Sequence, residues 1–435
     1  MTSPRLLIAS LCLLSAAAFA EEDEDWAVHG QATAVAQWHP AFHADYSGPH
    51  SLDPKDQGNE TADATLAAGA RLWTGAEAWA DVELDQGFGL SNTAGVAGFT
   101  SGEAYKVGEH RPYFRLPRAF ITQTIDFGGA PDPIGSDFNT LARTATADRL
   151  VITAGKFSVV DVFDTNRYAH DPRGDFLNWA IIDLGTFDYA ADAWGFTYGA
   201  AAELSLGGWT GRLGVFDGST VPNDKALDPK PFDQTQEVVE IEHRHHLWGQ
   251  EGKFKLLAFV TEARLGSYDD AVALARAIGG VPDTSLVRKM RDRFGAGINL
   301  EQPLDDDLGV FLRAGATQGN EEVYEFSEIN RTLSFGASLA GASWDRPDDR
   351  IGSAVAFNGL SEAAKRYFRA GGAGVLIGDG RLPNSAGEMV WESYYSYALA
   401  EGVALSADYQ LINHPAYNRD RGPVSVLAAR AHLQF

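Results

Sequence analysis

The chain has 435 residues, 35 of them basic and 59 acidic, which gives a formal net charge of −24. This acidic balance argues against a nucleic-acid-binding protein, because such proteins concentrate Lys and Arg on one surface. The only cysteine is Cys12, so disulfide frameworks and thiolate zinc sites are excluded for the rest of the chain. We therefore expect no nucleic-acid partner, no cofactor and no bound metal.

The first twenty residues have the pattern of a secretory signal peptide. Arg5 is the only charge before an apolar run at residues 6–17, and Ala18-Phe19-Ala20 places small residues on either side of a bulky one. The run is shorter than the roughly 20 residues that a membrane-spanning helix needs. We predict a signal peptide at residues 1–20 and a single exported domain at residues 21–435.

Apolar residues then recur with a period of two over most of the sequence. Between Trp194 and Leu206 they alternate with smaller and polar residues, and Gly207-Gly208 makes a two-residue turn before the alternation resumes at Trp209. This pattern is typical of a hairpin with one apolar and one polar face. No later apolar stretch approaches the length of a membrane helix, and only helices and closed barrels can span lipid.

We count about sixteen such segments, within the even numbers usual for bacterial barrels. They begin near residues 28, 63, 76, 117, 149, 194, 209, 234, 253, 291, 308, 331, 350, 388, 403 and 424. Short connections follow the second, sixth, eighth, tenth and fourteenth segments. Long connections lie at 40–62, 86–116, 158–193, 265–290 and 359–387. The predicted fold is therefore an all-β transmembrane antiparallel barrel with short periplasmic turns and long outer loops, although the connection at 128–148 is longer than this pattern predicts.

The last predicted strand ends on an aromatic residue, Phe435, in phase with the alternation of Ala431 and Leu433. A closing strand of this kind resembles the recognition signal for outer-membrane barrel assembly. We therefore expect the strand ending at Phe435 to contact the barrel assembly machinery, and the protein to reside in outer-membrane lipid.

Six long blocks of sequence carry a family resemblance. They read FTSGEAYK at 99–106, PYFRLPR at 112–118, GKFSVVDVFDTN at 155–166, YAHDPR at 168–173, FDYAADAW at 187–194 and NHPAYNRDRGP at 413–423. Together they resemble the carbohydrate-selective porins of the OprB type, over nearly all of the mature chain. The resemblance implies a sixteen-stranded outer-membrane barrel through which glucose and related sugars diffuse. It also implies that the loop after the fifth strand folds inward and narrows the channel.

Candidate residues for such a constriction can be chosen by chemistry. Sugar hydroxyls need the donors and acceptors of Arg and carboxylate groups, and sugar ring carbons need flat apolar faces. Arg71 and Trp73 share one face of the second strand, and Glu77, Trp79 and Glu83 share the matching face of the third. Facing rows of opposite charge with an aromatic group between them would form a selective constriction. We expect Arg71 to lie at its narrowest part.

The inward loop implied by the resemblance, at residues 158–190, adds further candidates, as does the block at 112–118. The complete predicted set is Arg71, Trp73, Glu77, Trp79, Glu83, Arg115, Arg118, Asp161, Asn166 and Arg173.

The leading hypothesis is a passive, sugar-preferring porin with no catalytic residues. The negative charge also suits a general or cation-preferring porin. A barrel-borne outer-membrane hydrolase is an alternative of another class, but the sequence has no G-x-S-x-G nucleophile turn and no P-loop. Both a homotrimer and a monomer are compatible with the sequence.

Overall fold

The computed structural model describes residues 23–104 and 108–435, so the predicted signal peptide lies outside the described residues. Within the described part the chain forms seventeen β-strands and three α-helices. The strands are β1 (Trp26–His39), β2 (Gln57–Trp73), β3 (Ala76–Gly87), β4 (Glu109–Arg115), β5 (Ala119–Ile134), β6 (Arg143–Phe157), β7 (Thr197–Leu206), β8 (Trp209–Asp217), β9 (Thr235–Leu247), β10 (Gln250–Leu265), β11 (Lys289–Pro303), β12 (Leu308–Thr317), β13 (Arg331–Ala340), β14 (Arg350–Gly359), β15 (Glu388–Ala400), β16 (Val403–Asn413) and β17 (Val424–Gln434). The helices are α1 (Trp179–Ile182), α2 (Tyr268–Ile278) and α3 (Glu362–Arg369).

Antiparallel pairing closes these strands into one barrel. Strand β1 pairs with both β2 and β17, so that Thr33 lies opposite Asp63 on one side and His432 on the other. Strands β4 and β5 pair with successive parts of β3 and form a single wall strand in two pieces. The described residues therefore form a closed 16-stranded antiparallel barrel, which confirms the predicted fold class.

Short and long connections alternate around the barrel. Two-residue turns join β2 to β3, β7 to β8 and β15 to β16, whereas residues 158–196 separate β6 from β7. We call the two ends of the barrel the short-turn end and the long-loop end. The apparent exception at 128–148 is explained by pairing, because β5 and β6 continue as a hairpin until Ile134 lies opposite Arg143. Only residues 135–142 connect these two strands.

The wall strand made of β4 and β5 contains one extra residue. Glu83 lies opposite Arg115 and Ala80 lies opposite Ala119, so three residues of this strand face two residues of β3. Pro117 fits this bulge because proline has no N–H to donate to a strand ladder. The extra residue interrupts the alternation, and the sequence prediction that placed residues 109–115 in a loop was therefore wrong.

The bulge has a direct consequence for two arginines. On a regular strand, residues three positions apart point to opposite faces. Here Arg115 contacts Glu83 and Arg118 contacts Asp161, and both contacts lie inside the barrel. One extra residue thus brings both guanidinium groups to the lumen.

Aromatic side chains on the inner wall lie over glycines of the adjacent strand. The directly opposed pairs in the described barrel include Trp79 with Gly69, Phe216 with Gly199, Phe259 with Gly295, Phe311 with Gly336, and Tyr394 with Gly352. A Cβ atom added at Gly69 would lie 2.3 Å from the Trp79 ring. Glycine is required because only a residue without a side chain lets the ring pack this close to the wall.

A similar pair lies at the seam between the first and last strands. Phe435 exchanges two backbone hydrogen bonds with Gly30, each 2.9 Å long. A Cβ atom at Gly30 would lie 2.4 Å from the Phe435 ring, so the ring covers this glycine. The terminal aromatic residue therefore extends the pairing of β17 with β1 by one further residue.

The connection between β6 and β7, residues 158–196, folds into the lumen, and we call it the inner loop. Most of its residues are buried against the far wall of the barrel. Arg313 on β12 pairs with Asp164 at 3.1 Å, and Glu392 on β15 accepts a hydrogen bond of 3.0 Å from the backbone N–H of Asn178. These contacts hold the inner loop at the position that the family resemblance implied.

Helices α2 and α3 lie in two long loops and pack against each other. The rings of Tyr268 and Tyr367 are 4.9 Å apart, and Arg366 makes a bidentate contact with Asp269. Among the described residues, no helix is both long enough and apolar enough to cross a membrane.

Candidate functional site

A cavity of about 200 Å³ lies between the inner loop and the wall formed by β3 to β5. The wall contributes Arg118, the inner loop contributes Asp161, Arg173 and Trp179, and the loop after β3 contributes Glu103. Because the inner loop lies against the opposite side of the barrel, this cavity is the space that it leaves open in the lumen.

Arg118 forms the centre of the polar side of the cavity. Its Nε and Nη2 donate to the two carboxylate oxygens of Asp161 at 2.8 and 2.6 Å, a bidentate pair. Its Nη1 lies 3.7 Å from Asp81, and its guanidinium lies 5.0 Å from the centre of the Phe196 ring. Asp161 is itself fixed, because it accepts a hydrogen bond of 2.9 Å from the backbone N–H of Ser158. The guanidinium group is therefore held rigidly at the edge of the cavity.

Arg115 extends the same polar surface towards the long-loop end. It contacts the carboxylates of Glu83 and Asp85. Its guanidinium lies 5.1 Å from the centre of the Phe196 ring and 5.6 Å from that of Trp194. Cation–π contacts of this length stabilise a charge while leaving its edge available for hydrogen bonds.

Arg173, on the inner loop, lies among four carboxylates. Its Nη atoms are 3.6 Å from Glu103, 3.7 Å from Asp171, 3.8 Å from Asp63 and 3.9 Å from Glu83. Burial alone would raise the pKa of Asp171, but the charge and backbone N–H of Arg173 outweigh it and hold that pKa below its ordinary value. Asp171 therefore carries its negative charge at neutral pH.

The other side of the cavity is aromatic. Trp179 stacks on Phe99 with ring centres 4.7 Å apart, and it lies 5.2 Å from Phe326. Tyr189 packs on Phe326 at 4.5 Å, and its burial raises its pKa well above the ordinary value. The hydroxyl of Tyr189 therefore remains neutral, and the cavity combines an ionic wall with an uncharged aromatic wall.

Five of the predicted constriction residues form one cluster here: Arg118, Asp161 and Arg173 line the cavity, and Glu83 and Arg115 lie beside them. Asn166 is on the inner loop but lies on the far side of the lumen, where its side-chain amide donates to Asn299 at 2.7 Å.

The structure does not bring Arg71 and Trp73 to the cavity. Arg71 lies near the short-turn end and donates to the backbone oxygen of Glu24 at 2.9 and 2.6 Å. Trp73 is largely exposed and donates to Gln123 at 2.7 Å. Arg71 and Glu77 are opposite each other in the strand register, as expected, but Glu77 pairs with Arg143 instead, at 3.0 Å. The strand face that Arg71 and Glu77 share could be inferred from the sequence. Their actual contacts with Glu24 and Arg143 could not.

Trp79, the remaining predicted residue, is buried over Gly69 and donates a hydrogen bond of 3.2 Å to Glu77. Glu77 and Trp79 therefore lie on the lumen face, below the cavity and towards the short-turn end. The residues that the sequence prediction missed are Asp63, Phe99, Glu103, Trp179, Tyr189, Trp194, Phe196 and Phe326. Four of them lie in the blocks at 99–106 and 187–194 that carry the family resemblance, which was their only signal.

Among the described residues, no group of three or more His, Cys, Asp or Glu side chains is arranged to hold a metal ion. His170 and Asp183 line the cavity with 3.4 Å between Nδ1 and a carboxylate oxygen. Burial lowers the pKa of His170, but the interaction with Asp183 more than compensates and leaves that pKa raised.

Comparison with known proteins agrees with this architecture. A sequence profile described as the carbohydrate-selective porin, OprB family, matches residues 49–435. The chain belongs to the OprB family. As a closed barrel of this family it is an integral outer-membrane protein, and its short-turn end faces the periplasm.

Two curated relatives of this OprB-family chain are porins from Chlamydia. Porin AaxA of Chlamydia muridarum is 22% identical over 339 residues, which cover 74% of this chain and 61% of that protein. Porin AaxA of Chlamydia trachomatis serovar D is 22% identical over 304 residues, which cover 68% and 54%. The chain thus spans about three fifths or less of the length of these relatives. The family and both relatives are porins, so the comparisons give the hydrolase alternative no support.

Two solved structures share the fold. The high-pH structure of Pseudomonas putida OprB superposes with a TM-score of 0.71 and 16% identity over 94% of each chain. The outer membrane channel DcaP of Acinetobacter baumannii gives a TM-score of 0.52 and 10% identity over 94% of this chain and 97% of that one.

Proposed function

We propose that this protein is a passive outer-membrane channel for glucose and related sugars. One observation carries the proposal: the lumen cavity has an ionic wall facing an aromatic wall. A sugar ring has hydroxyl groups around its edge and apolar C–H groups on its faces, so it can satisfy both walls at once.

The ionic wall suits hydroxyl groups because its charges are already paired. Arg118 donates two of its N–H groups to Asp161, and a guanidinium group has five N–H donors. A passing hydroxyl can therefore accept from the remaining N–H groups and donate to a carboxylate without breaking the ion pair. Arg118 and Asp161 therefore keep their charges paired while one permeant molecule replaces another.

The aromatic wall and the size of the cavity add shape selection. Trp179 and Tyr189 are buried and fixed by stacking, so they present rigid ring faces. The cavity volume of about 200 Å³ is below the roughly 300–1,000 Å³ of pockets for drug-sized ligands. A single small ring fits this volume better than a large permeant.

Binding must be weak for a channel to release its permeant. Hexose dissociation constants near 1 mM would correspond to about 4 kcal/mol of binding free energy. We expect glucose at millimolar concentration to block the ion current of single channels in planar bilayers. Sorbitol, an open-chain polyol with similar hydroxyls and no ring face, is the matched control and should block less.

The general or cation-preferring porin remains the second candidate because of the net charge of −24. Acidic lumens concentrate cations. Equal effects of glucose and sorbitol, or no block by either, together with a strong cation preference in the reversal potential, would favour this candidate over the sugar channel.

We also propose that residues 1–20 are removed on export, that assembly uses the strand ending at Phe435, and that the protein forms a homotrimer. Support for the trimer comes from a patch of small residues in the middle of the outer face of β1, β2 and β17, where Ala34 lies opposite both Ala62 and Ala431. An Ala34→Trp substitution should convert trimers to monomers in detergent, as measured by mass photometry. A monomeric unmodified protein would contradict the proposal.

A further inference from the structure

The hairpin of β5 and β6 folds its tip back into the mouth of the barrel at the short-turn end. We call residues 135–142 the hairpin tip. The backbone N–H of Leu141 donates to Glu77 on β3 at 3.0 Å, and Arg143, just after the tip, pairs with the same carboxylate at 3.0 Å. Leu141 is buried. The tip therefore lies against the inner wall and does not extend freely into the periplasm.

Further contacts fix the tip from the other side. The backbone N–H of Glu24 donates to the oxygen of Ala142 at 2.9 Å, and the side chain of Glu24 accepts from the backbone N–H of Ala142 at 2.7 Å. The Phe138 ring lies 6.5 Å from His29, which stacks on Trp79. The N-terminal segment and strands β1 and β3 thus hold the tip in one place.

One residue of the tip is linked through Asp81 to Arg118, which lines the cavity described above. The side-chain amide of Asn139 donates to one carboxylate oxygen of Asp81 at 2.7 Å, and the other oxygen lies 3.7 Å from Arg118. Asn139 has a φ of 62°, a left-handed conformation that Asn tolerates better than most residues. The backbone turn and the side-chain contact both account for an asparagine at this position.

We propose that the hairpin tip forms a second, exit-side element of the permeation path, and that Asn139 is a positioning residue that holds Asp81 beside Arg118. Ions and sugars that leave the cavity then pass the tip before they reach the periplasm. The expected effect on ion selectivity does not depend on which molecule the channel carries in the cell, whereas the effect on sugar passage rests on the proposed function.

Substitutions of opposite charge at Asn139 test this proposal. Asn139→Asp should raise the cation preference of the channel, and Asn139→Lys should lower it. Two unit charges about 8 Å apart in water change a local ion concentration by about two-fold, so we expect permeability ratios to change by about that factor in each direction. The readout is the reversal potential in a salt gradient across a planar bilayer.

Asn384 provides a matched control at the other end of the barrel. Its side-chain amide donates to Asp420 at 2.8 Å, on the exposed face of a long loop. Asn384→Asp and Asn384→Lys should leave the reversal potential unchanged. If Asn139 had a purely structural role, Asn139→Asp and Asn139→Lys would not shift the reversal potential in opposite directions. Opposite shifts in these two variants are therefore the decisive result.

A neutral variant provides a second measurement. Asn139→Ala removes the amide without adding charge, so it should raise single-channel conductance and keep the sign of selectivity. The proposal is overturned if well-folded Asn139 variants, judged by heat-modifiable migration, show unchanged reversal potentials and conductance. If the unmodified channel shows no sugar block while the signed shifts appear, the sugar function fails and the exit-side element stands.

Discussion

Removal of the Arg118 guanidinium is the most informative perturbation of the cavity. Arg118→Ala deletes the bidentate contact with Asp161, the 3.7 Å pair with Asp81 and the cation–π contact with Phe196. It also removes the charged donor that we expect a sugar hydroxyl to use. Sugar affinity, ion selectivity and conductance should therefore all change.

The expected weakening of glucose block in Arg118→Ala follows from the contacts and exposure of the Arg118 side chain. A hydrogen bond to a charged group contributes about 1.5–3 kcal/mol, and Arg118 keeps about a fifth of its side chain exposed. We take the lower end of that range because water in the lumen screens the interaction, and we expect about ten-fold weaker glucose block. Asp161 and Asp81 would lose their cationic partner, so cation preference should rise. The shorter side chain should also increase conductance.

The assay is glucose block of single-channel current, combined with the reversal potential in a salt gradient. Arg366→Ala is the matched control, since Arg366 makes the same bidentate contact with Asp269, at 2.9 and 2.7 Å, but on helix α3 outside the lumen. Arg118→Lys retains the charge without the planar fork and should give an intermediate block with nearly normal selectivity.

The reasoning would be refuted by a folded Arg118→Ala channel with unchanged glucose block and unchanged ion selectivity. An equal effect of Arg366→Ala would also refute it, because the change could then not be assigned to the lumen. A change in selectivity without any change in block would separate the two roles, and would leave Arg118 as an ion filter only.

Three further results are expected. Trp179→Ala should weaken glucose block by two- to ten-fold, from an aromatic contact of about 0.5–1.5 kcal/mol, and leave the reversal potential unchanged because the ring is neutral. Gly30→Val should displace the Phe435 ring and reduce the heat-modifiable folded fraction, as should deletion of Phe435. Burial raises the pKa of Glu328 to about 7, because the buried carboxyl group is more stable neutral than ionised. Docking of its loop should therefore be fully stable below about pH 4.5 and weaken as the pH rises through 7. Limited proteolysis should show this pH dependence, and Glu328→Gln should abolish it.

The strands were largely predictable because each presents one face to lipid and one to the lumen. Alternation at Thr197–Leu206 and the turn at residues 207–208 appear in the structure as expected. The segment Glu109–Arg115 was missed because the bulge shifts the alternation by one residue before β5 begins. A period-two pattern cannot reveal a strand across a change of phase.

The site was only partly predictable, for a different reason. Alternation shows which face of a strand a residue occupies, and it correctly put Glu77 and Glu83 on the lumen face. It does not show what a distant loop brings to that face. Arg143 of the hairpin takes Glu77 as its partner, while the inner loop brings Arg173 to Glu83. The aromatic wall is made by three separate segments, and local patterns carry no information about their meeting.

The bulge between β4 and β5 makes this channel unequally tolerant of insertions and deletions. The long loops can gain or lose residues while every wall side chain keeps its direction. Loss of residue 116 or 117 would remove the bulge and restore strict alternation, and the two arginines, then two positions apart, would still share the lumen face. Loss of a residue within a regular paired strand would instead turn the side chains on one side of the change to the other face. We therefore expect the bulge to tolerate the loss of one residue, whereas the regular strands should vary little in length.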